Sequence, residues 1–515
     1  MGRGVLLLLA LFVVHLHPSF ERDVYHKSSR YPTVRNKEES DPNFWAKEAW
    51  QGIESSRYKD NVNKARNVIM FLGDGMSVPT LAAARTLLGQ REGRTGEETQ
   101  LFFESFPTIG LSKTYCVDAQ IADSACSATA YLCGSKANRG TLGVTADILR
   151  TNCSFVNPEN YVHSIAEWAL AAGKDAGIVT TTRITHASPA GVYAHTAERD
   201  WESDADVLDD CASAQDVPID IAEQLVHNYP GTHFKVILGG GRREFLPNTI
   251  IDEEGTQGKR LDGRNLINEW IEDKISRNVS HKYVWNRQEL VQLSLSPPEY
   301  LLGLFEGSHM KYNLKADPTM EPSLADMTEI AIRSLNRNNN GFFLFVEGGR
   351  IDHGHHDNLV HHALDETIEM AAAVRRATEL LSDEDSLIVV TSDHAHVMSF
   401  NGYTRRGGNI LGPSDDLGDD GLPYMTLSYA NGPGARSHVN GKRVDVTADE
   451  DFGDLDWMTH AEVLLEDETH GGDDVAVFAL GPYHHLFTGM YEQSRIPHLM
   501  AYAACIGPGL HSCDD

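Results

Sequence analysis

The chain has 515 residues, of which 41% are hydrophobic and 23% are charged, enough for one large domain with insertions or for two to three smaller domains. Its 44 Lys and Arg residues against 74 Asp and Glu residues give a formal net charge of −30. This charge disfavours binding to nucleic-acid backbones and to anionic membrane surfaces. An anionic substrate would need local positive charge, which bound metal cations can supply.

The N-terminus has the pattern of a secretory signal peptide. Arg3 precedes an apolar run over residues 5–14, which is too short to span a bilayer as a helix. We therefore predict a signal peptide over residues 1–20 and a secreted, extracellular protein. No later segment reaches 18 consecutive apolar residues, so no transmembrane helix is expected. The chain as given ends in HSCDD, without the hydrophobic tail of a GPI signal, although a membrane-anchored relative or a trimmed precursor stays open.

The predicted elements of the fold follow from residue 41 onward. Residues 41–58 have the pattern of an amphipathic helix that could pack on the outside of the fold or on a partner subunit. Apolar runs typical of buried strands then alternate with helical patterns, which predicts an α/β fold, a sandwich with a mostly parallel central sheet covered on both faces. The strands are expected at residues 67–73, 176–182, 235–239, 341–347, 386–391 and 475–480, with helices at 78–88, 161–172 and 361–381 among others.

Residues 402–467 break this alternation. They are rich in Gly, Pro, Asn and Asp, which favours turns over long regular elements. We interpret them as an inserted subdomain or a set of elaborate loops. The main α/β domain is then formed by residues 65–401 and 468–505.

Acidic and imidazole side chains follow several of the predicted strands. Asp74 comes directly after the first strand, Glu347 ends the strand at 341–347, and Asp393 and His394 follow the strand at 386–391. The carboxyl ends of parallel strands meet at one edge of a sheet, where ligands bind. One such residue alone is usually a helix cap or a solvated loop acid, but together they predict a functional site.

Further metal-ligand types lie between and after these strands. Asp352 and His356 are four residues apart and would lie one above the other on a helical turn. His396 and His470 offer two more imidazoles. Carboxylates with imidazoles and no thiolate suit a catalytic zinc site, whereas Asp74, Glu347 and a hydroxyl would form an oxygen-only site that suits magnesium.

Ser124 is the candidate nucleophile. The small residues that follow it favour a helix starting there, and a helix N-terminus is a favourable place for an anion. No G-x-S-x-G motif surrounds it, so a metal is the better candidate for ionising the hydroxyl. The alternative is that Ser124 only caps the helix.

The segment over residues 180–199 follows a predicted strand and contains Ser188 and Arg199. Arginine binds phosphate oxygens through two parallel hydrogen bonds. A lone arginine in a loop is usually only a surface residue, so Arg199 is a candidate phosphate-binding residue only in combination with the other groups.

The seven cysteines include no CxxC pair, which disfavours a thiolate zinc site, and a secreted chain favours disulfides. Cys126 and Cys133 are too far apart on one helix to form one, at about 10 Å. The odd total leaves at least one thiol free or paired between molecules. Glycosylation sequons occur at Asn152 and Asn278.

Together these segments resemble the animal-type alkaline phosphatases over residues 41–513. The most specific pieces are FLGDGM, DSACSATAYLCG, TRITHASPAGVYAH, FLFVEGGRIDHGHH, SDHAH and ETHGG. The resemblance implies a three-layer sandwich with a crown-like inserted subdomain at 402–467, and a homodimer in which residues 41–58 could reach across to the partner. It implies hydrolysis of small phosphate monoesters at alkaline pH through a phosphoserine on Ser124, assisted by two zinc ions and one magnesium ion.

The same resemblance assigns roles to individual residues. One zinc ion would be bound by Asp352, His356 and His470, and the second by Asp74, Ser124, Asp393 and His394. Magnesium would be bound by Asp74, Ser188 and Glu347. Arg199 would bind the phosphate, and the side chains expected around the metal ligands are His186, His353 and His396.

Animal members of this family also carry a distant calcium site. The matching positions here are Glu254, Phe305 through its backbone oxygen, Glu306 and Glu321. The family disulfides imply the pairs Cys153–Cys211 and Cys505–Cys513. Cys116 and Cys126 have no counterpart in the family pattern and could pair with each other.

Two alternative functions compete with phosphate monoester hydrolysis. A sulfatase on the same fold would need a C-x-P-x-R motif at the nucleophile, which is absent, and a phosphodiesterase often uses Thr and lacks the arginine clamp. A surface-binding protein that has lost its activity would lack a metal ligand, and none is missing, so cell-surface binding could only be an added role.

Overall fold

The computed structural model describes residues 60–154, 157–214 and 217–514, with the isolated positions Glu38, Phe44 and Lys47. The predicted signal peptide, and the predicted helix over residues 41–58 except for two of those positions, lie outside the described residues. Among the helices that the structure describes, none is long and apolar enough to cross a membrane.

The secondary structure alternates between strands and helices along most of the chain. The strands are β1 (Asn67–Gly73), β2 (Thr108–Lys113), β3 (Asp175–Arg183), β4 (Val236–Gly240), β5 (His281–Val284), β6 (Tyr300–Leu304), β7 (Phe342–Gly348), β8 (Ser386–Thr391), β9 (Ala395–His396), β10 (Met398–Phe400), β11 (Pro413–Leu417), β12 (Pro423–Met425), β13 (Leu427–Gly432), β14 (Ala461–Leu464), β15 (His470–Gly471), β16 (Val475–Leu480) and β17 (Gly489–Glu492). The α-helices are α1 (Val78–Arg91), α2 (Ser124–Cys133), α3 (Ile165–Ala171), α4 (Ala187–Ala190), α5 (Asp204–Cys211), α6 (Ile221–His227), α7 (Leu266–Ser276), α8 (Arg287–Gln292), α9 (Leu324–Leu335), α10 (Arg350–His356), α11 (Val360–Leu380) and α12 (Ile496–Ala504).

A ten-stranded sheet forms the centre of the molecule, in the order β17-β2-β16-β8-β1-β7-β3-β4-β6-β5. Its neighbouring strands run parallel except at β16, which is antiparallel to both β8 and β2. The carboxyl ends of the parallel strands therefore meet at one edge, and the N-terminal end of β16 lies at that same edge.

Helices cover both faces of this sheet. In β1, Val68, Met70 and Leu72 pack with α2, α3 and α12 on one face, whereas Ile69 and Phe71 pack with α1, α9 and α11 on the other. Successive strand residues point to opposite faces, so a strand buried on both sides must be apolar throughout. The fold is an α/β three-layer sandwich, as predicted.

The predicted strands are all present, and those at 67–73, 386–391 and 475–480 have the predicted bounds. Strands β2, β5, β6 and β17 were not predicted. In β2 the fully buried positions are Thr108, Gly110 and Ser112, while Ile109 is exposed. The buried residues of β2 are small or polar, so the strand contains no continuous apolar run. A prediction based on such runs therefore misses it.

Residues 402–467 form small sheets outside the central one. Strand β13 pairs with β10 and β14, and β11 pairs with β12. Before and after this segment, β9 pairs with β15, so that His396 lies opposite His470. The chain thus leaves and re-enters the main domain at one point.

Three disulfides are present in the described residues. They join Cys153 to Cys211, Cys505 to Cys513 and Cys116 to Cys126. The first two are the pairs that the family resemblance implied, and the third is the pairing that stayed open. Cys133 is a buried free thiol on α2.

Candidate metal centre and nucleophile

The acidic side chains predicted at strand ends lie on three neighbouring strands of the sheet. Asp74 follows β1, Glu347 lies at the end of β7, and Asp393 follows β8. Leu72 of β1 is paired with Glu347 on one side and with Thr391 of β8 on the other. The three carboxylates therefore meet at the centre of the carboxyl edge, and all are fully buried.

Hydroxyl groups contact two of these carboxylates. Ser188 Oγ donates to Asp74 Oδ2 at 3.3 Å. Thr182 Oγ1 donates to Glu347 Oε2 at 3.0 Å, and Thr180 donates to the same oxygen. Because Thr180 and Thr182 lie on the adjacent strand β3, they fix the orientation of Glu347. Neither threonine was predicted, since each acts on a ligand and is not one itself.

One oxygen of each carboxylate in this group has no hydrogen-bond donor: Asp74 Oδ1, Glu347 Oε1 and Asp393 Oδ2. Leaving a buried carboxylate oxygen unpaired costs free energy. Burial, and then the charge of Asp393, raise the pKa of Asp74 well above its usual value; burial raises the pKa of Glu347 to about 7. A cation would relieve both effects, so these oxygen donors fit a divalent metal ion.

His394 adds an imidazole to this group. Its Nε2 lies 3.1 Å from Asp393 Oδ2 and 3.6 Å from Asp74 Oδ1. Ser124 Oγ lies 3.3 Å from the same nitrogen. Four ligands about 2.0–2.1 Å from a tetrahedral zinc ion are about 3.3–3.4 Å from one another, so these spacings match a zinc site.

A second group of zinc-ligand types is formed by Asp352, His356 and His470. The two His Nε2 atoms are 3.0 Å apart, and they lie 3.3 and 3.4 Å from the Asp352 carboxylate. Each histidine donates its Nδ1–H to a backbone carbonyl, His356 to Glu468 and His470 to Ala122. Both Nε2 atoms therefore carry lone pairs that face each other, which is unfavourable unless a cation lies between them.

Glu468 organises this second group and was not predicted as a functional residue. Its carbonyl accepts from His356, and its carboxylate accepts from His396 Nδ1 at 2.5 Å. His396 in turn donates Nε2–H to Asp352 at 2.6 Å. Although burial opposes it, the charges of Glu468 and Asp352 raise the pKa of His396 to about 10. The only sequence signal for Glu468 was its place in the ETHGG motif.

Ser124 is the first residue of α2, and only 1% of its surface is exposed. Asp123, and not Ser124, is the N-cap, because its side chain accepts from the backbone of Cys126. The alternative that Ser124 is only a cap is therefore wrong. Its hydroxyl lies beside His394, at the end of a helix whose first amide groups have no intrahelical acceptor.

Arg199 is held next to Ser124 by the same cap residue. Its Nη1 donates to Asp123 Oδ2 at 3.0 Å, and its Nη2 donates to His186 Nε2 at 3.2 Å. These two contacts fix the guanidinium plane, and one of them is to the residue that directly precedes Ser124. This arrangement suits a clamp for phosphate oxygens.

Three histidine rings surround one side of the metal-ligand groups. His186, His353 and His309 lie with their ring centroids 4.3–5.5 Å apart. His186 and His353 were expected there, but His309 was not. Arg183 binds His309, and Arg350 binds His353. His309 lies in no recognised motif, so no sequence pattern pointed to it.

The four candidate calcium ligands lie away from these groups, after β6 and in nearby loops. The ammonium of Lys311 lies 2.7 Å from Glu306 and 3.1 Å from Glu321. Arg242 donates to Glu254 at 2.9 Å, and Phe305 is buried directly after β6. Positive side chains therefore neutralise these carboxylates.

Comparisons with known proteins show the family to which the chain belongs. The alkaline phosphatase family model matches residues 65–506. The chain is 61% identical to the membrane-bound alkaline phosphatase of Bombyx mori over 486 residues, covering 93% of this chain and 88% of that protein. It is 47% identical to the tissue-nonspecific alkaline phosphatase of Homo sapiens over 483 residues, covering 92% of this chain and 91% of that protein.

A solved structure shares the fold at lower identity. The alkaline phosphatase of Thermus thermophilus superposes with a TM-score of 0.61 at 23% identity, covering 88% of this chain and 94% of that chain. The family match spans most of the chain, and the metal-ligand groups and the serine lie within it. The chain therefore belongs to the alkaline phosphatase family and is an enzyme that hydrolyses phosphate monoesters.

Proposed function

We propose that the enzyme acts through a phosphoserine on Ser124, with two zinc ions and one magnesium ion. The observation that carries this proposal is the position of the Ser124 hydroxyl. It lies at the N-terminus of α2, 3.3 Å from His394 Nε2. Among the described residues, no other serine begins a helix and also lies within hydrogen-bond distance of a histidine of these groups.

The types of donor atom support this choice of metals. Asp352, His356 and His470 would bind one zinc ion, and the second would be bound by Asp74, Asp393, His394 and Ser124. Asp74, Ser188 and Glu347, all oxygen donors, would bind magnesium. When bound, such ions stabilise the charge that develops on the attacking and leaving oxygens of an in-line displacement.

The protein groups around Ser124 position the phosphate. The guanidinium of Arg199 binds two non-bridging oxygens, and Asp123 orients it. The free amide groups at the start of α2 point toward the same anion. Binding and charge stabilisation are the main protein contributions to phosphoryl transfer.

The reaction then has two displacements. The Ser124 oxygen forms a bond to phosphorus while the bond from phosphorus to the alcohol oxygen breaks, and the alcohol takes up a proton. Water next attacks the phosphoserine, the bond from phosphorus to Ser124 breaks, and inorganic phosphate leaves. Ionised oxygens are needed in both steps, so activity is expected to rise toward alkaline pH.

The variant Ser124→Ala tests this proposal with p-nitrophenyl phosphate as substrate. We expect the loss of turnover and of acid-stable labelling by ³²P-phosphate, with zinc content unchanged by elemental analysis. The matched control is Ser127→Ala on the same helix, whose hydroxyl contacts only the Asp123 carbonyl. Full turnover or full labelling in Ser124→Ala would rule out the serine mechanism.

The alternative substrates can be compared in the same assay. A phosphodiesterase or a sulfatase would turn over bis-p-nitrophenyl phosphate or p-nitrophenyl sulfate faster than the monoester. We expect the monoester to be much the fastest, because Arg199 binds two oxygens that a diester partly masks. An added cell-surface binding role stays a prediction.

The remaining assignments are also proposals. Residues 65–401 and 468–505 form the catalytic domain, residues 402–467 form an inserted crown-like subdomain that shapes access to the site, and calcium binds through Glu254, Phe305, Glu306 and Glu321. The enzyme is extracellular after removal of residues 1–20, forms a homodimer and carries glycans at Asn152 and Asn278. N-terminal sequencing would test the removal of residues 1–20, light scattering would test the homodimer, and glycosidase treatment would test the glycans.

A further inference from the structure

The disulfide between Cys116 and Cys126 lies at the first turn of α2. Cys126 is the third residue of that helix, and its backbone amide donates to Asp123, the N-cap. Cys116 lies ten residues earlier, in the segment that joins β2 to α2. The bond therefore connects this segment to the helix that begins with Ser124.

Contacts to residues 136–139 also hold the start of this segment. The Val117 amide donates to the Ala137 carbonyl at 3.0 Å, and the Asp118 carboxylate accepts from the Arg139 amide at 2.8 Å. Lys136 donates to the Tyr115 carbonyl at 2.7 Å. Between Thr114 and Ala122, Cys116 is the only buried residue, whereas Tyr115, Val117 and Ile121 are 43–55% exposed. A small cluster of buried side chains surrounds the disulfide; it consists of Cys116, Ala122, Cys126 and Ala137. Cys116 thus supplies the buried attachment of a segment that otherwise lies on the surface.

The end of this segment carries two contacts to the active site. The Ala122 carbonyl accepts from His470 Nδ1 at 2.8 Å, which leaves Nε2 of His470 as the ligand atom. The Asp123 carboxylate accepts from Arg199 at 3.0 Å. Residues 122 and 123 therefore orient one zinc-ligand candidate and the phosphate clamp at once.

We propose that the Cys116–Cys126 disulfide is a positioning element of the active site. It holds the segment over residues 117–122 against the first turn of α2. In this way it keeps the Ala122 carbonyl within hydrogen-bond distance of His470 Nδ1, and the Asp123 carboxylate within hydrogen-bond distance of Arg199. Without the bond, the exposed segment gains freedom, and both contacts are held less tightly. The inference rests on the proposed roles of Ser124, Arg199 and His470.

The double variant C116A/C126A tests it. We expect the KM for p-nitrophenyl phosphate and the inhibition constant of inorganic phosphate each to rise roughly tenfold, because small displacements of positioning groups cost about that much or more. We also expect zinc to be lost faster to a chelator. Both readouts are taken well below the unfolding temperature, where a merely structural bond would not change them.

The matched control is C505A/C513A, which removes another short disulfide loop far along the chain. It should lower the unfolding temperature and leave both phosphate constants unchanged. The variant C116V/C126A refills the volume of the small cluster without the bond, and it also serves if the double alanine variant does not fold. We expect it to keep the raised KM; wild-type constants in either variant would overturn the proposal.

The series separates this inference from the proposed function. Ser124→Ala and Arg199→Ala are measured beside the cysteine variants. If they keep full activity, the serine mechanism itself is wrong. If they lose activity while the cysteine variants keep wild-type constants and zinc retention, only the positioning role of the disulfide is wrong.

Discussion

Two groups of carboxylates, one at strand ends and one after β6 and in a nearby loop, are neutralised differently. Asp74, Glu347 and Asp393 form no ion pair with any Lys or Arg that the structure describes. Glu306 and Glu321, after β6, share the ammonium of Lys311. Buried like charges without a counter-ion are costly, so the first group depends on metal ions, whereas the second is stable with the protein's own cation.

The largest expected effect comes from Asp74, Glu347 and Asp393, the group that pairs with no described Lys or Arg and has the imidazole of His394 as its only described ion-pair partner. Asp74→Asn removes the charge that the proposed magnesium site shares with the second zinc site, and we expect kcat/KM to fall by roughly 10³-fold, the scale of lost electrostatic stabilisation. Zinc and magnesium content should fall with it. In the other group, Glu306→Gln should change kcat/KM by less than about fivefold; equal losses in both variants would break the comparison.

The next effect concerns Glu468, which acts on the ligands through His356 and His396. Glu468→Gln leaves the backbone carbonyl that accepts from His356 and removes the charge that His396 contacts. Because His396 orients Asp352, we expect zinc affinity to fall by about 10- to 100-fold, as for other residues that orient metal ligands. Competition with a chromophoric chelator measures this. At saturating zinc most activity should return. The control is Glu462→Gln on the exposed side of β14, and unchanged affinity in Glu468→Gln would contradict the interpretation.

A third prediction uses the pH dependence of the metal-free protein. The folded pKa of Glu347 is about 7 against an ordinary 4.5, so between these pH values the folded state holds a proton that the unfolded chain has lost. Stability must therefore fall as pH rises through this window. The unfolding temperature in chelator should decline from pH 4.5 to 7 less steeply in Glu347→Gln than in the wild type.

The control for that experiment is Glu104→Gln, whose carboxylate forms an ion pair with Arg85. It should keep the wild-type slope in chelator. Adding zinc and magnesium should flatten the wild-type curve, because bound cations favour the ionised carboxylate. A slope shared by all three proteins would remove Glu347 as the cause.

The smallest effect is expected at Glu306 and Glu321, the carboxylates that share the ammonium of Lys311. If calcium binds as proposed, it must displace the ammonium of Lys311 from Glu306 and Glu321. The variant Lys311→Met should then bind calcium more tightly than the wild type. We expect millimolar calcium to raise the unfolding temperature of the variant by a few degrees, roughly in line with ligand linkage, with little effect on activity. An equal rise in both proteins would show that Lys311 does not compete.

The central sheet and most of the site could be predicted because two rules acted together. Strands buried on both faces are apolar throughout, and the carboxyl ends of parallel strands share an edge. Asp74, Glu347 and Asp393 follow from these rules alone. His470 could not be found this way, because it lies before a strand, β16, and not after one; its prediction depended on the ETHGG motif.

Residues that act through a neighbour were the ones missed. Glu468 contacts ligands with its carbonyl and carboxylate, Thr180 and Thr182 hold Glu347, and His309 contacts Arg183. Their chemistry depends on distances that no spacing in the sequence encodes. The Cys116–Cys126 pairing stayed open for the same reason, since a disulfide requires two Cα atoms within about 7 Å.

The reversed direction of β16 has a consequence for how this enzyme can change. Because β16 is antiparallel to β8, the long connection between them starts and finishes on one side of the sheet, like the loop of a hairpin. This connection can be lengthened, shortened or exchanged without a change in the order or direction of any strand of the sheet. Each doubling of its length costs only about 0.6 kcal/mol in closure entropy. The connection between β8 and β16 can thus change in sequence and length while the site at the carboxyl edge of the sheet stays the same.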